Sequence, residues 1–409
     1  MDLSKRGVLK FGCAVCLFLL TMADSLYAAQ RDSTGGNMTH MIRADFRPSY
    51  VFPSSRFLRR NNLSNDRIDC SLAAHVKYGF KFGPNTYWGK VYPYAVQGIG
   101  VAYNTFFNSS ELGNPMAVYA FQTSRIVDIA PKLSLDYEWN FGVSFGWKEF
   151  NEKTNPYNRV IGSDVDAFIN LNFLLNWQWH PRTYLHVGVG FSHYSNGSTH
   201  FPNFGVNTLG GMVGITQYFG KDKEAWNARA LLPAFKQHVT YDLVLYGAFR
   251  KKRIHPADGG KKVLVPGNFA VFGLNFNPLY NFNRYFRAGV SLDVQYDKSA
   301  NIGNHVANEV FPSNPDDLRF HKVPFSEQLS VGLSLRGELV MPIFSINFGI
   351  GKNLICKGAD NNFVYQVLAL KTNITKNLFL HTGYQLYHFK DPNNLMLGIG
   401  YRFNAKGKI

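Results

Sequence analysis

The chain has 409 residues, room for one large domain or two medium ones, with charged residues at 17% and aromatics at 15%. An average soluble domain carries roughly 25% charge, so this chain is charge-poor and aromatic-rich, and its apolar content excludes disorder. After residue 30 no apolar run approaches the roughly 18 residues that a membrane helix needs. That excludes a helical membrane bundle and leaves a soluble enzyme or a transmembrane β-barrel. The formal net charge of +16 suits anionic partners, a phosphate-bearing glycolipid among them. Nucleic acid is not expected, because the chain is exported and carries no recognisable binding motif.

Export is read from the N-terminus. Lys5, Arg6 and Lys10 precede an apolar stretch from Phe11 to Leu20, and small residues follow at Ala28 and Ala29. This predicts a secretory signal peptide over residues 1–29. Cys13 and Cys16 stand at the start of the apolar stretch rather than at its end, which argues against a lipoprotein anchor. The exported remainder keeps two cysteines, Cys70 and Cys356. Export permits a disulfide, but two cysteines this far apart are no framework. Residues 30–69 read as an N-terminal segment and 70–409 as the barrel, with segment 42–52 as an extra strand.

From about residue 70 the pattern has period two. In 163–179 the odd positions read Val165, Ala167, Ile169, Leu171, Phe173, Leu175, Trp177 and Trp179. Most even positions are Asp, Asn or Gln, with Phe168 and Leu174 as exceptions. Such a strand shows hydrocarbon to one side and water to the other, and it is far longer than the five or six residues of an average strand. Leu329, Val331, Leu333 and Leu335 alternate with Ser330, Gly332, Ser334 and Arg336, and 344–350 repeats the pattern. The chain ends on Leu397, Ile399, Tyr401 and Phe403 alternating with Gly398, Gly400 and Arg402, as a closing strand does.

Loop lengths add a second regularity. Short turns at 180–182, 277–284, 339–342 and 371–376 alternate with longer polar connections at 148–163, 196–206, 298–323 and 352–361. The connection 220–235 breaks the rule, being long where a short turn is due. No repeat of 20–50 residues stands out. The expected fold is all-β, a transmembrane antiparallel β-barrel of 14–16 strands in the bacterial outer membrane. A large soluble β-sandwich is the other all-β architecture that would bury such faces.

One hairpin carries candidate chemistry. Leu185, Val187, Val189 and Phe191 share a face with His193 and Ser195, and His186, Gly188, Gly190, Ser192 and Tyr194 share the other. On the returning strand Asn207 leads the apolar face of Leu209, Gly211, Val213 and Ile215. His193, Ser195 and Asn207 therefore point outward together. A serine hydroxyl is a weak nucleophile until an imidazole takes its proton, and the imidazole needs a third group to fix its tautomer. Asn196, Asn203 or the Gly197 N–H could serve the oxyanion. A histidine and a Ser-Asn turn at the membrane interface are the structural alternative. His180, His186 and His200 lack ligand spacing, so no metal or other cofactor is expected.

The run His193-Tyr194-Ser195-Asn196-Gly197, then Pro202-Asn203-Phe204-Gly205-Val206-Asn207, resembles the active hairpin of the lipid A 3-O-deacylase family. The resemblance implies an outer-membrane esterase that removes a 3-O-linked acyl chain from lipid A or lipopolysaccharide in the outer leaflet. It places the base at His193, the nucleophile at Ser195 and the conserved amides at Asn196 and Asn203. Two departures stand out. The family's acid falls on Asn207, and acid-to-amide changes in serine triads can cost around four decades of rate. The chain is also about twice as long as the small eight-stranded barrels that the resemblance implies. A non-catalytic barrel, a channel or surface-structural protein keeping a degenerate hairpin, is the second reading.

Overall fold

A computed structural model describes residues 38–197, 199–219, 234–255, 262–308, 310–312, 314–389 and 391–404. The expected signal peptide, 1–29, lies outside them. Eight long strands come first: β1 (Thr39–Val51), β2 (Cys70–Lys81), β3 (Val96–Thr105), β4 (Gly113–Ala130), β5 (Leu133–Trp147), β6 (Val165–His180), β7 (Thr183–Ser195) and β8 (Val206–Phe219). The chain continues with β9 (His238–Arg250), a two-stranded ribbon of β10 (Arg253–Ile254) and β11 (Val263–Leu264), and β12 (Phe269–Asn281). It ends with β13 (Phe286–Asp297), β14 (Leu329–Val340), β15 (Phe344–Ile355), β16 (Val364–Asn373), β17 (Leu378–Tyr387) and β18 (Asp391–Phe403).

The architecture is all-β, and its strands form two closed antiparallel barrels of eight. β1 returns to pair with β8, placing Ala44 opposite Ile215. β9 returns to pair with β18, placing Leu245 opposite Ile399. The sixteen barrel strands fall within the expected number, but the single closure expected over 70–409 is two closures. The reason is physical: strand alternation records which side chains face water and says nothing of which distant strand closes the sheet. The segment 42–52 is a true strand, the first of barrel one. The connection that broke the loop rule runs between β8 and β9 and is the join between barrels. Cys70 and Cys356 are free, one on each barrel.

Eight strands enclose a lumen just wide enough for side chains to fill. In barrel one the buried Glu138 carboxylate takes Arg43 Nη1 at 2.7 Å, Lys77 Nζ at 2.5 Å and the Thr123 hydroxyl at 2.9 Å. Asp45 pairs with Arg47 and lies 3.2 Å from Lys77 Nζ. Tyr119, Phe121 and Phe168 fill the space above. Barrel two repeats the device with other residues. Lys371 Nζ bridges Asp242 at 2.8 Å and Glu338 at 2.6 Å, Arg402 grips Asp242 through two 2.7 Å bonds, and Arg287 pairs with Glu338. Outward positions such as Val76, Val101, Leu171, Phe173, Val213 and Leu333 are exposed and apolar, with Trp177, Trp179 and Phe219 at the short-turn end as an aromatic girdle.

The barrels touch along one side. Trp139 on β5 meets Phe344 on β15 edge-on at 4.9 Å between ring centroids, with Ala120 and Met341 buried beside them. At the short-turn end the Tyr285 hydroxyl donates to the Val91 carbonyl at 3.3 Å, and the Tyr92 hydroxyl donates to the Val340 carbonyl.

Removing one partner of a buried ion cluster strands the others without compensation, which typically costs about 3–5 kcal/mol. Glu138→Ala is therefore expected to lower the unfolding temperature and abolish heat-resistant migration of the folded protein. Val187→Ala, on the exposed wall, leaves that migration intact; the comparison is read on a gel of heated and unheated samples.

Candidate active site

Strand alternation in β7 sorts its side chains as the sequence predicts. Val187, Val189 and Phe191 are 53%, 56% and 42% exposed, whereas His186 and Tyr194 are 1% and 3% exposed. His193 and Ser195 continue the outward row. The β7–β8 register puts Asn207 directly opposite His193, and the ring Nδ1 lies 2.7 Å from Asn207 Oδ1. An amide oxygen only accepts, so Nδ1 is the donor in this bond, and in the neutral ring that leaves the lone pair on Nε2.

Ser195 is the last residue of β7, and its hydroxyl oxygen is met by two donors. Asn203 Nδ2 donates to it at 2.9 Å and the Gly197 N–H at 3.3 Å. Gly197 has φ +65°, which turns the chain back on itself and aims that N–H at the serine. Asn203 is oriented in turn, because its Oδ1 accepts from the Asn196 N–H at 3.4 Å. The Asn196 side chain is buried; its Oδ1 accepts from the His200 N–H at 3.4 Å, while its Nδ2 has no partner among the described residues. No hydrogen bond joins the His193 ring to Ser195 among the described residues. They stand two residues apart on one strand face, about 7 Å by strand rise.

Two side connections brace the hairpin, and sequence reasoning gave neither a role. The Gly205 N–H donates to the Val160 carbonyl at 3.0 Å, and the Gly205 carbonyl accepts from the Ser54 hydroxyl at 3.1 Å. Gly205 has φ +70°, and a Cβ there would stand 2.8 Å from the Tyr194 carbonyl and 3.3 Å from His193 Cε1. Gly205 was legible within the hairpin motif as a residue type, but nothing in the sequence shows that it passes beside the imidazole. Val160 and Ser54 carry no local signal, since their contacts depend on barrel closure.

No carboxylate reaches His193 among the described residues. Asp166 is buried in the lumen against Ser163, and Asp164 accepts from the Gly146 N–H at 3.1 Å. Asp222 and Glu224 lie outside the described residues. Glu111, in the connection after β3, is committed elsewhere. Partial burial raises its pKa, but the N–H groups of Leu63 and Ser64 and the Ser64 hydroxyl hold its carboxyl below the usual range. Burial, followed by the charge of Lys251, pushes His200 below the ordinary imidazole value, so it stays neutral near pH 7.

Two family models match the chain, one on each barrel. That described as lipid A 3-O-deacylase (PagL) matches residues 49–216, and that described as acyloxyacyl hydrolase, C-terminal domain, matches 239–405. No curated protein matches the chain. Among solved structures it is similar to Neisserial surface protein A (NspA) at 9% identity, covering 45% of this chain and 98% of that one, with a TM-score of 0.28. It is also similar to the siderophore receptor PirA from Pseudomonas aeruginosa at 10% identity, covering 91% and 81%, with a TM-score of 0.26.

Proposed function

Since the chain belongs to the lipid A 3-O-deacylase (PagL) family, an outer-membrane family, we propose that its first barrel is an esterase releasing an ester-linked acyl chain from lipid A or lipopolysaccharide. One observation carries this reading. Ser195 Oγ receives two N–H donors on the same outward face on which Asn207 fixes the tautomer of His193.

The chemistry follows from those atoms. His193 Nε2 takes the Ser195 proton as Oγ attacks the ester carbonyl, and the carbonyl electron pair moves onto oxygen. The Gly197 N–H and the amides of Asn203 and Asn196 are the donors available to that oxyanion. Collapse of the intermediate expels the sugar alkoxide, which takes the proton back from Nε2–H. Water then repeats the sequence on the acyl-enzyme and frees the fatty acid. Because the face points outward, the substrate approaches from the outer leaflet. Asn207 orients the imidazole but does not neutralise an imidazolium, so the reaction is slow beside a carboxylate triad.

The channel form of the second reading is opposed by the side chains that fill both lumens, Lys77, Tyr119, Phe121 and Phe168 in one and Lys371, Tyr365 and Phe379 in the other.

Mass spectrometry of lipid A incubated with the purified protein tests the esterase. Ser195→Ala is expected to abolish acyl release while heat-resistant migration persists; release at the parental rate excludes the serine mechanism. Asn207→Glu supplies the missing charge near the interface, where a carboxylate costs little, and raises the rate about tenfold or more. If both the parent and Asn207→Glu are inactive, the hairpin is not catalytic. In planar bilayers the protein is expected to give no steady conductance; open-pore currents would favour the channel.

A further inference from the structure

Barrel two repeats barrel one with its hairpin changed. Leu380-His381-Thr382-Gly383 stands in β17 as Leu185-His186-Val187-Gly188 stands in β7, and both histidines are buried in their lumens. His388 follows His381 at the same spacing at which His193 follows His186. Where barrel one continues Tyr194-Ser195-Asn196, barrel two continues Phe389-Lys390-Asp391. The connection is cut from residues 196–205 to residues 388–390. With no hydroxyl at the matching position, this hairpin is not a second copy of the serine site.

The hairpin of barrel one lies against the outer side of β17 and β18. A Cβ built on Gly197 would stand 3.0 Å from Tyr384 Cε2 and 3.0 Å from Leu395 Cδ2. Tyr384 and Leu395 are directly opposite each other across β17 and β18, so they form one platform beneath the Gly197 backbone. A second strut comes from β10, where the Arg253 guanidinium sits 4.1 Å from the centre of the Phe201 ring. The residue seated on the platform is the one whose N–H donates to Ser195 Oγ.

We propose that Tyr384 and Leu395 of barrel two are positioning residues for the Ser195 site of barrel one. They hold the Gly197 N–H where the serine and its oxyanion need it. This rests on the esterase reading above and adds a part to it. A backbone donor stabilises a developing oxyanion only if it is fixed in place before the charge appears. Gly197 closes a turn at positive φ with no side chain of its own, so its orientation is set by what it packs on. A displacement of about 1 Å at a reacting centre can cost about a hundredfold in rate.

The test uses the full chain acting on lipid A, with two readouts. Leu395→Ala and Tyr384→Ala, singly and together, are expected to lower kcat about 10–100-fold while KM shifts far less, the mark of a contact that matters in the transition state. Leu395→Met, close in volume, restores most of the rate. Hydrogen–deuterium exchange over 194–205 rises in the alanine variants and returns to the parental level in Leu395→Met. Val290→Ala, on the exposed face of β13, which pairs with neither β17 nor β18, changes neither readout; an equal loss there overturns the proposal, because the effect would then be general weakening of the barrel. An active parent whose folded double variant keeps both its kcat and its exchange overturns this proposal alone. An inactive parent overturns the esterase reading, and the catalytic role of the platform with it.

Discussion

A fully buried carboxylate must find its positive charges inside the protein, and Glu138 finds Arg43 and Lys77 on strands β1 and β2. That requirement decides which side of each strand turns inward. Once Arg43, Lys77 and Glu138 face the lumen, strict alternation carries the assignment round the sheet to β7, where His186 and Tyr194 are inside and His193 and Ser195 outside. A one-residue slip in any ladder would send a charge into lipid and the histidine into the lumen. The outward site is therefore fixed by electrostatics on the opposite side of the wall, and the mutual register of β7 and β8 then sets Asn207 against the imidazole.

Closure after eight strands has its own consequences. The ions in each lumen are buried among side chains, so each barrel needs its own network, and the two networks use different residues for the same task. Barrel one centres on Glu138, whereas barrel two shares Lys371 between Asp242 and Glu338. The outer walls are less constrained. Apolar positions facing lipid tolerate exchange, which is where Trp139 and Phe344 are recruited for contact between the barrels. Lipid offers no hydrophobic gain for such an association, so close packing and a few hydrogen bonds must hold it.

The sequence made the strands and their faces legible because both depend on neighbours along the chain. The inward burial of Asp166, Asn170 and Asn172 and the outward row from Ile169 to Trp177 are as the alternation predicts. The hairpin motif likewise brought His193, Ser195, Asn203 and Asn207 together through local register. The number of barrels was not legible, because pairing of Ala44 with Ile215 spans the whole first barrel and leaves no local trace. Its one sign was the long connection at 220–235, met as an irregularity. The likeness between the segments around His186 and His381 leaves no short period in the sequence, because its unit is an entire barrel. The braces from Ser54 and Val160, and the platform of Tyr384 and Leu395, depend on segments brought near only by closure and by contact between the barrels.

The join between β8 and β9 has a thermodynamic meaning of its own. Two separate barrels would meet at a rate set by how many copies the membrane holds, and contacts as sparse as those around Trp139 and Tyr92 would often be broken. A covalent tether of this length keeps the partner at an effective concentration on the order of millimolar, whatever the expression level. Association becomes a property of the single molecule rather than of the population. The short connection between β17 and β18 then sits beside the longer hairpin of barrel one in every copy of the chain, because its neighbour can never diffuse away.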